Sequence, residues 1–210
     1  MIIRKYALCF LVLILSFSLF SCASDVDGQE IFVENEDGET VLEDLLEKSK
    51  LLNLIYFGDG IPLKENGVKS GVYCEADPIF LEEHGLSDIE SIKEETEAIF
   101  SPSMCNMLYG RAFENFKTGT SVSRVRYYED DEGHLMVRTT EESLLNGEVT
   151  YDCSSAKIKS TRKNRVTLLM QATVTTSNGL CETETIRVVL QKTADGWRLD
   201  CPTYLVYYAD

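Results

Sequence analysis

The strongest constraint on the fold is an alternation of apolar and polar residues within the last sixty residues, from about 149 to 208. Residues 166–174 are apolar at every even position and mostly polar at the odd ones, and residues 185–191 repeat the pattern. A period of two residues is typical of strands that bury one face. This part of the chain is therefore predicted to form an antiparallel β-meander on which the other segments pack.

The connection between these two strands predicts their register. Ser177-Asn178-Gly179 lies between them. A three-residue loop brings the two apolar faces together, whereas a two-residue Asn-Gly loop would place each apolar face against a polar one. We therefore predict the three-residue loop, with Gly179 in the left-handed conformation. The predicted pairs are Met170 with Ile186, Leu168 with Val188, and Val166 with Leu190.

The last predicted strand continues the apolar face. An even loop over residues 193–196 brings Trp197, Leu199 and Cys201 to the same side of the sheet as the apolar residues of the preceding strand. Pro202 cannot donate a ladder hydrogen bond. We therefore expect the last strand to lie at the edge of the sheet or to bulge there.

The first 22 residues have the features of a targeting segment. Arg4 and Lys5 precede an apolar stretch, residues 6–20, that is too short for a comfortable membrane span, and Leu19-Phe20-Ser21-Cys22 closes it. These four residues resemble the lipobox of bacterial lipoproteins. In that family the cysteine, here Cys22, becomes the diacylated N-terminal residue once residues 1–21 are removed. The resemblance implies a lipid anchor on the extracytoplasmic face of the cell membrane, and a Gram-positive host is favoured over one with two membranes; the alternatives to the lipid anchor are a plain secretory signal and an uncleaved anchor.

Charge limits the classes of partner. Loss of Arg4 and Lys5 would leave 18 Lys and Arg against 35 Asp and Glu, a net charge of −17. Such a chain is expected to repel nucleic acid and anionic lipid headgroups. Residues 22–39 are acidic and poor in large apolar side chains, which predicts a flexible tether. Residues 40–210 are enough for a single domain with its own core.

Three helices are predicted ahead of the sheet. Thr40-Val41-Leu42-Glu43 has the pattern of a capping box and opens a helix that Gly58 ends. Ser87-Asp88-Ile89-Glu90 is a second such pattern, opening a helix to Phe100. Ser101 as the N-cap and Pro102 as the first helical residue begin the third helix. Two short strands, residues 123–129 and 134–140, then flank a charged turn.

These elements predict an α+β fold, with three N-terminal helices packed on a curved antiparallel β-meander. This order of elements resembles the NTF2-like and cystatin-like folds, in which helices lie across the concave face of a sheet. A sheet of that kind can hold a ligand or a peptide if aromatic residues line it. The candidate binding surface is formed by four aromatic residues on predicted strands, although filling the core is the alternative role. They are Tyr127, Trp197, Tyr204 and Tyr207.

The sequence predicts neither catalysis nor a resident cofactor. The two histidines, His84 and His134, lie in polar turns far apart in the sequence, which disfavours zinc binding and histidine-dependent nucleophilic catalysis. Three consecutive acids, residues 130–132, point in different directions and are not expected to hold a metal. An odd number of cysteines would remain after processing, without CxxC spacing, which favours free thiols over one bridge such as Cys74 to Cys105. These cysteines are Cys74, Cys105, Cys153, Cys181 and Cys201.

Three short pieces carry a resemblance to a known class of envelope proteins. They are Leu54-Ile55-Tyr56-Phe57-Gly58, Ile99-Phe100-Ser101-Pro102 and Gly196-Trp197-Arg198-Leu199-Asp200. They resemble small lipid-anchored proteins of Gram-positive bacteria, including the DL-endopeptidase inhibitor family of cell-wall autolysin regulators. The resemblance implies a non-enzymatic binding module whose acidic surface blocks the cleft of a wall peptidase.

A second function stays open at this stage, namely an NTF2-like pocket protein for a small ligand, or a degenerate enzyme. The two functions differ in what the interior of the domain should contain. A deep pocket with a buried carboxylate pointing into it would favour the small-ligand protein. A filled interior would favour the binding module, with an envelope protein or peptide as its partner.

Overall fold

The computed structural model describes residues 38–118, 121–145, 147–176 and 179–203. The predicted signal segment with Cys22, most of the tether, and Tyr204 and Tyr207 lie outside these residues. The described elements are α1 Gly38–Phe57, β1 Lys69–Ser70, β2 Tyr73–Glu75, α2 Pro78–Glu83, α3 Ile89–Ile99, α4 Pro102–Ala112, β3 Phe116–Thr118, β4 Ser121–Ser123, β5 Tyr127–Glu129, β6 Leu135–Arg138, β7 Gly147–Arg162, β8 Arg165–Thr176, β9 Cys181–Thr193 and β10 Gly196–Leu199.

The strands form two four-stranded antiparallel sheets and one separate pair. The C-terminal sheet has the order β10-β9-β8-β7, so strands that follow one another along the chain are neighbours. The predicted meander is thereby confirmed, and so is the α+β class. A second sheet has the order β1-β2-β6-β5, and β3 pairs with β4. The two strands predicted ahead of the meander therefore belong to this second sheet, together with β1 and β2.

The register between β8 and β9 is the predicted one. Met170 lies opposite Ile186, Leu168 opposite Val188, and Val166 opposite Leu190. The amide of Thr176 donates to the carbonyl of Leu180 over 2.9 Å, which leaves three positions in the loop. Gly179 has a φ of +81°, the left-handed value that glycine adopts without a steric penalty. Both predictions about this turn are confirmed.

The inner face of the meander forms one wall of the hydrophobic core. Its apolar residues on β8, β9 and β10 are at most 3% exposed: Val166, Leu168, Met170, Ala172, Ile186, Val188, Leu190 and Leu199. Helix α1 packs against this sheet, with contacts to β7 and β10. Its buried positions recur every three or four residues, as expected of a helix with one face in a core. Among the described helices, none is both long and apolar enough to cross a membrane.

The helices differ from the prediction in number and in two of their starts. The described part of α1 begins at Gly38, so Thr40 lies inside the helix and does not cap it. Asp88 caps α3 and Ser91 completes its capping box, one residue later than predicted. Ser101 and Pro102 begin α4 as predicted. The short helix α2, capped by Asp77, was not predicted, and the described helices number four instead of three.

A buried arginine closes the C-terminal end of α1. Arg126 is 3% exposed and precedes β5. Its guanidinium donates to the carbonyls of Tyr56 and Gly58 and, over 3.2 Å, to the hydroxyl of Tyr127. The last carbonyls of a helix lack intrahelical donors and carry a partial negative charge, so a guanidinium there supplies both hydrogen bonds and opposite charge. This contact fixes α1 to the second sheet.

A buried carboxylate joins the edge of the meander to the junction of α3 and α4. Asp200 follows β10 and accepts hydrogen bonds from the hydroxyls of Ser101 and Ser103, and its other oxygen pairs with Arg165. The amide of Ser101 donates to the carbonyl of Leu199 over 2.8 Å. The N-terminus of α4 is thereby held directly against the last strand of the sheet.

Candidate functional site

The structure separates the aromatic residues that the sequence proposed as one binding surface. Tyr127 lies in the second sheet and is 1% exposed. Its hydroxyl donates to the carbonyl of Ile55 over 2.7 Å and accepts from the amide of Ile61 over 3.3 Å. Burial raises the pKa of Tyr127 above its ordinary value. Tyr127 is therefore a core residue, and its assignment to an accessible surface is corrected.

Trp197 occupies a different place, on β10 at the edge of the meander. It pairs with Lys192 of β9 and is partly buried. The Lys192 ammonium lies 5.3 Å from the centroid of the indole ring, within the range of a cation–π contact. Tyr204 and Tyr207 lie outside the described residues. The described part of the chain thus does not assemble the predicted aromatic site.

The apolar residues buried in the described part of the domain pack in one core. Among the described residues, the buried carboxylates are Glu75 and Asp200, and both are engaged by other side chains. Glu75 accepts from the Lys64 ammonium over 2.6 Å and from the amide of Val68 over 3.0 Å, while Asp200 holds the α4 junction. Both carboxylates therefore connect parts of the fold.

An open groove lies between α1 and the first half of β7, and we call it the β7 groove. Its volume is about 340 Å³. Its walls come from α1, from the segment before β7, from β7 itself and from the residues after β10. The lining residues are Lys50, Asn53, Leu145, Gly147, Glu148, Val149, Tyr151 and Thr203. The groove is thus a mixed surface with an apolar centre and charged groups at its rim.

A network of hydrogen bonds fixes the floor of the β7 groove. The hydroxyl of Tyr151 donates to the carbonyl of Thr203 over 2.6 Å. The side-chain amide of Asn53 donates to the Thr203 hydroxyl over 2.9 Å, and that hydroxyl lies 3.0 Å from the hydroxyl of Ser49. Burial raises the pKa of Tyr151, so the phenol stays neutral and keeps its proton for this bond. Strand β7, helix α1 and Thr203 therefore present a preformed surface.

The strand that borders this groove, β7, lies at one end of the meander. Among the described strands, only β8 pairs with it. Residues 147–152 pair with β8 in unbroken register, whereas register shifts interrupt the ladder after Asp152 and again after Ile158. The second half also carries Lys157, Lys159 and Arg162. Bulges and positive charges are common devices that protect a sheet edge against further strands, and residues 147–152 have neither.

The charged turn before β6 brings three potential metal-ligand residues together. Ligand atoms of Asp130, Glu132 and His134 all lie within 4.8 Å of one another. One oxygen of Asp130 accepts from the amides of Glu132 and His134 over 3.1 and 2.8 Å, and the other lies 3.0 Å from Nδ1 of His134. The Asp130 carboxylate thus already serves the turn itself, which accounts for the cluster without an ion.

This turn yields a prediction about acid–base behaviour. The hydrogen bond that the imidazole donates to the Asp130 carboxylate raises the pKa of His134 above its ordinary value of 6.5. Because the folded-state pKa is the higher one, the pair stabilises the fold below the unfolded-state pKa, and this contribution is lost as the pH rises through the folded-state pKa. Asp130→Asn should therefore lower the pKa of His134 in an NMR titration, and Asp131→Asn should change it less. An unchanged pKa in Asp130→Asn would contradict the assignment.

The residues of the β7 groove were not singled out from the sequence. The available signal was the alternation of Val149 and Tyr151 with Glu148 and Thr150, which marks a strand but not an unprotected edge. The groove also depends on Asn53 and Thr203, which are 150 positions apart in the chain. No protein-family model matches the chain, and no curated protein matches it.

Proposed function

We propose that this protein is a lipid-anchored, non-enzymatic binding module on the extracytoplasmic face of the cell membrane. Cys22 carries the lipid, and residues 22–39 tether the domain to the bilayer. The module binds an extended segment of an envelope protein along the open edge of β7, and a cell-wall peptidase is the partner class that we favour. The observation that carries this proposal is the unbulged edge of residues 147–152 beside the β7 groove.

The packing of the described core supports a binding module. The inner face of the meander is covered by α1, and its apolar side chains pack with the helix in one core. This packing supports an NTF2-like or cystatin-like arrangement in which the space beneath the helix is closed. A partner would therefore bind at the margin of the sheet, where the β7 groove is open to solvent.

The chemistry of the groove indicates what kind of segment fits. A strand added to a sheet edge gains affinity from backbone hydrogen bonds, and its alternate side chains enter pockets beside the edge. Leu145, Val149 and Tyr151 give the groove an apolar centre, and Lys50 and Glu148 carry opposite charges. We therefore expect a partner segment with apolar residues at alternate positions and little net charge.

The test is a crosslinking pull-down from intact cells that carry the tagged full-length protein. Val149→Lys places a charge in the groove, whereas Thr150→Lys adds the same charge to the neighbouring residue on the opposite face of β7. We expect an envelope protein to be recovered with the unaltered protein and with Thr150→Lys, and its recovery to fall at least tenfold with Val149→Lys. Cys22→Ala should abolish anchoring and reduce recovery as well.

The control for this experiment is the thermal unfolding of each variant, since a charge that unfolds the domain would also abolish binding. Equal recovery with Val149→Lys and Thr150→Lys, both folded, would contradict binding in the β7 groove. Equal membrane association of the Cys22→Ala protein would contradict the lipid anchor. The two parts of the proposal thus fail separately.

One observation favours a small-ligand carrier as the second candidate function. The β7 groove has a volume of about 340 Å³, at the lower end of the range for small-ligand sites. Asn53 and Tyr151 would then orient the ligand, with apolar contacts from Val149. Native mass spectrometry of the protein isolated from its host distinguishes the two functions. A bound small molecule that is lost in Val149→Lys would favour the carrier over the peptide-binding module.

A further inference from the structure

The strongest positive charge in this acidic protein lies at the tip of the β7–β8 hairpin. The chain as a whole has a net charge of −15, yet residues 157–165 contain five Lys and Arg and no Asp or Glu. The β-hairpin brings these residues together, because Arg162 lies directly opposite Arg165. Like charges in directly opposite positions destabilise a sheet. This pair of arginines therefore does not favour formation of the hairpin.

The structure gathers these charges around a cleft on the outer face of the meander, which we call the basic cleft. Its volume is about 330 Å³. Cross-strand pairing explains its composition, since Thr167 lies opposite Val189 and Leu169 opposite Arg187, all on the face away from the core. The lining residues are Lys159, Ser160, Arg162, Arg165, Thr167, Arg187 and Val189. Four of these seven carry a positive charge, and none is a carboxylate.

One of the four cations, Arg165, is held in place by a buried carboxylate. Arg165 pairs with Asp200, whose side chain is 2% exposed, while the Arg165 side chain remains 54% exposed. Asp200 is itself fixed by the hydroxyls of Ser101 and Ser103. The ion pair therefore fixes one side of the guanidinium, and the residue still lines the cleft. Side chains positioned in advance lose less entropy when a ligand binds.

We propose that the basic cleft binds a phosphate-bearing ligand. A phosphate monoester carries a charge near −1.5 to −2 at neutral pH, and three oxygens that accept strong hydrogen bonds. Guanidinium groups match a phosphate bidentately, and the hydroxyls of Ser160 and Thr167 add uncharged donors. Among the described residues Arg165 already pairs with Asp200, whereas Arg162 and Arg187 form no ion pair, so the cleft offers about two charges to a ligand, which a phosphate monoester matches and a single carboxylate does not. The ligand class is therefore one that concentrates two charges within a small volume.

This inference is independent of the proposed peptide-binding function. The β7 groove uses the inner face of the first half of β7, whereas the basic cleft uses the outer face of its second half. It differs from the sequence-based expectation that the whole chain repels anionic partners, because residues 157–165 contain five Lys and Arg and no Asp or Glu. The phosphate group can come from a soluble ester or from a lipid headgroup, and the experiment separates these two sources.

The test uses isothermal titration calorimetry on the full-length protein in a neutral detergent at low ionic strength. The probes are glycerol 3-phosphate as a soluble phosphate monoester, phosphatidic acid in the detergent micelles as the same monoester on a lipid, and malonate as a dicarboxylate of similar charge. Arg187→Gln removes one cation of the cleft. The matched control is Lys69→Gln, which removes the same charge from exposed strand β1, outside the cleft. Thermal unfolding checks that both variants are folded.

We expect one phosphate probe to bind the unaltered protein with 1:1 stoichiometry. Its affinity should be at least about tenfold weaker for Arg187→Gln and unchanged for Lys69→Gln. This factor corresponds to the loss of one charge-assisted hydrogen bond. Tighter binding of glycerol 3-phosphate would identify a soluble phosphate ester as the source, and tighter binding of phosphatidic acid a lipid headgroup. The proposal is overturned if neither phosphate probe binds, if malonate binds as tightly as the better of them, or if Arg187→Gln and Lys69→Gln bind alike.

Discussion

Replacing Arg126 by alanine is expected to lower the free energy of unfolding by about 2–4 kcal/mol. The side chain is 3% exposed and donates to the carbonyls of Tyr56 and Gly58 and to the hydroxyl of Tyr127. Its removal would leave the carbonyl of Gly58 without this donor, at a cost of about 1–3 kcal/mol, and would also remove the packing of the arginine stem. Arg111 still donates to the carbonyl of Tyr56, and the amide of Ile61 to the hydroxyl of Tyr127. The C-terminus of α1 would also lose the positive charge that opposes its dipole. Chemical denaturation of the two proteins measures the difference.

The neighbouring Arg124 provides the control, since its side chain is exposed. Arg124→Ala should change the free energy of unfolding by no more than about 0.5 kcal/mol. Arg126→Lys should fall between the two, because one ammonium group cannot reproduce the fork of a guanidinium. A loss below about 1 kcal/mol in Arg126→Ala would show that water replaces the guanidinium, and that this contact does not hold α1 to the second sheet.

The meander could be predicted because two local rules act together in it. A shift of the strand register by one residue would turn every apolar side chain of a strand to the wrong face. Few registers are therefore possible, and the observed one pairs Met170 with Ile186. The Gly179 turn then selects among them. The start of α4 could also be predicted, because Ser101 and Pro102 are signals that concern only the first helical turn. Both signals lie close to the residues whose structure they determine.

The second sheet, helix α2 and the start of α1 depend on information that is not local. β2 pairs with β6 across some sixty residues, with Tyr73 opposite Arg138, and no pattern in either short strand specifies that partner. Helix α2 has six residues, of which Leu81 is the buried residue. A single buried position gives no periodicity from which the helix could be predicted. Thr40 has the sequence of a cap but lies within α1, where packing of the apolar face decides the length.

The candidate sites were hidden from the sequence for a different reason. Net charge is a sum over the chain, and the total of −15 concealed the five cations of residues 157–165. A search for charge segregation, rather than for net charge, would have found that run. The contribution of Arg187 to the same cleft required the register of β9 against β8. Tyr127 shows the reverse error, since an aromatic residue on a strand was as consistent with a core position as with a surface.

Asp200→Ala is the second substitution with a large expected effect, a loss of about 2–4 kcal/mol in the free energy of unfolding. The carboxylate accepts from Ser101 and Ser103 and pairs with Arg165, while its own side chain is 2% exposed. Its removal leaves the buried hydroxyl of Ser101 without its charged acceptor at the N-terminus of α4, and the hydroxyl of Ser103, 3.0 Å away, is the remaining acceptor among the described residues. Thermal and chemical unfolding should both report the loss. Asp195→Ala, in the exposed turn before β10, should remain within about 0.5 kcal/mol of the unaltered protein.

Double-mutant cycles can show which contact of Asp200 produces this loss. Because the Arg165 side chain is 54% exposed, water screens its ion pair, and a pair of this kind contributes little. Ser101 is fully buried, so its hydrogen bond has no competing water. We therefore expect the coupling energy between Asp200→Ala and Ser101→Ala to exceed that between Asp200→Ala and Arg165→Ala, by about 1 kcal/mol. The opposite order would mean that the ion pair, and not the helix junction, stabilises this edge of the sheet.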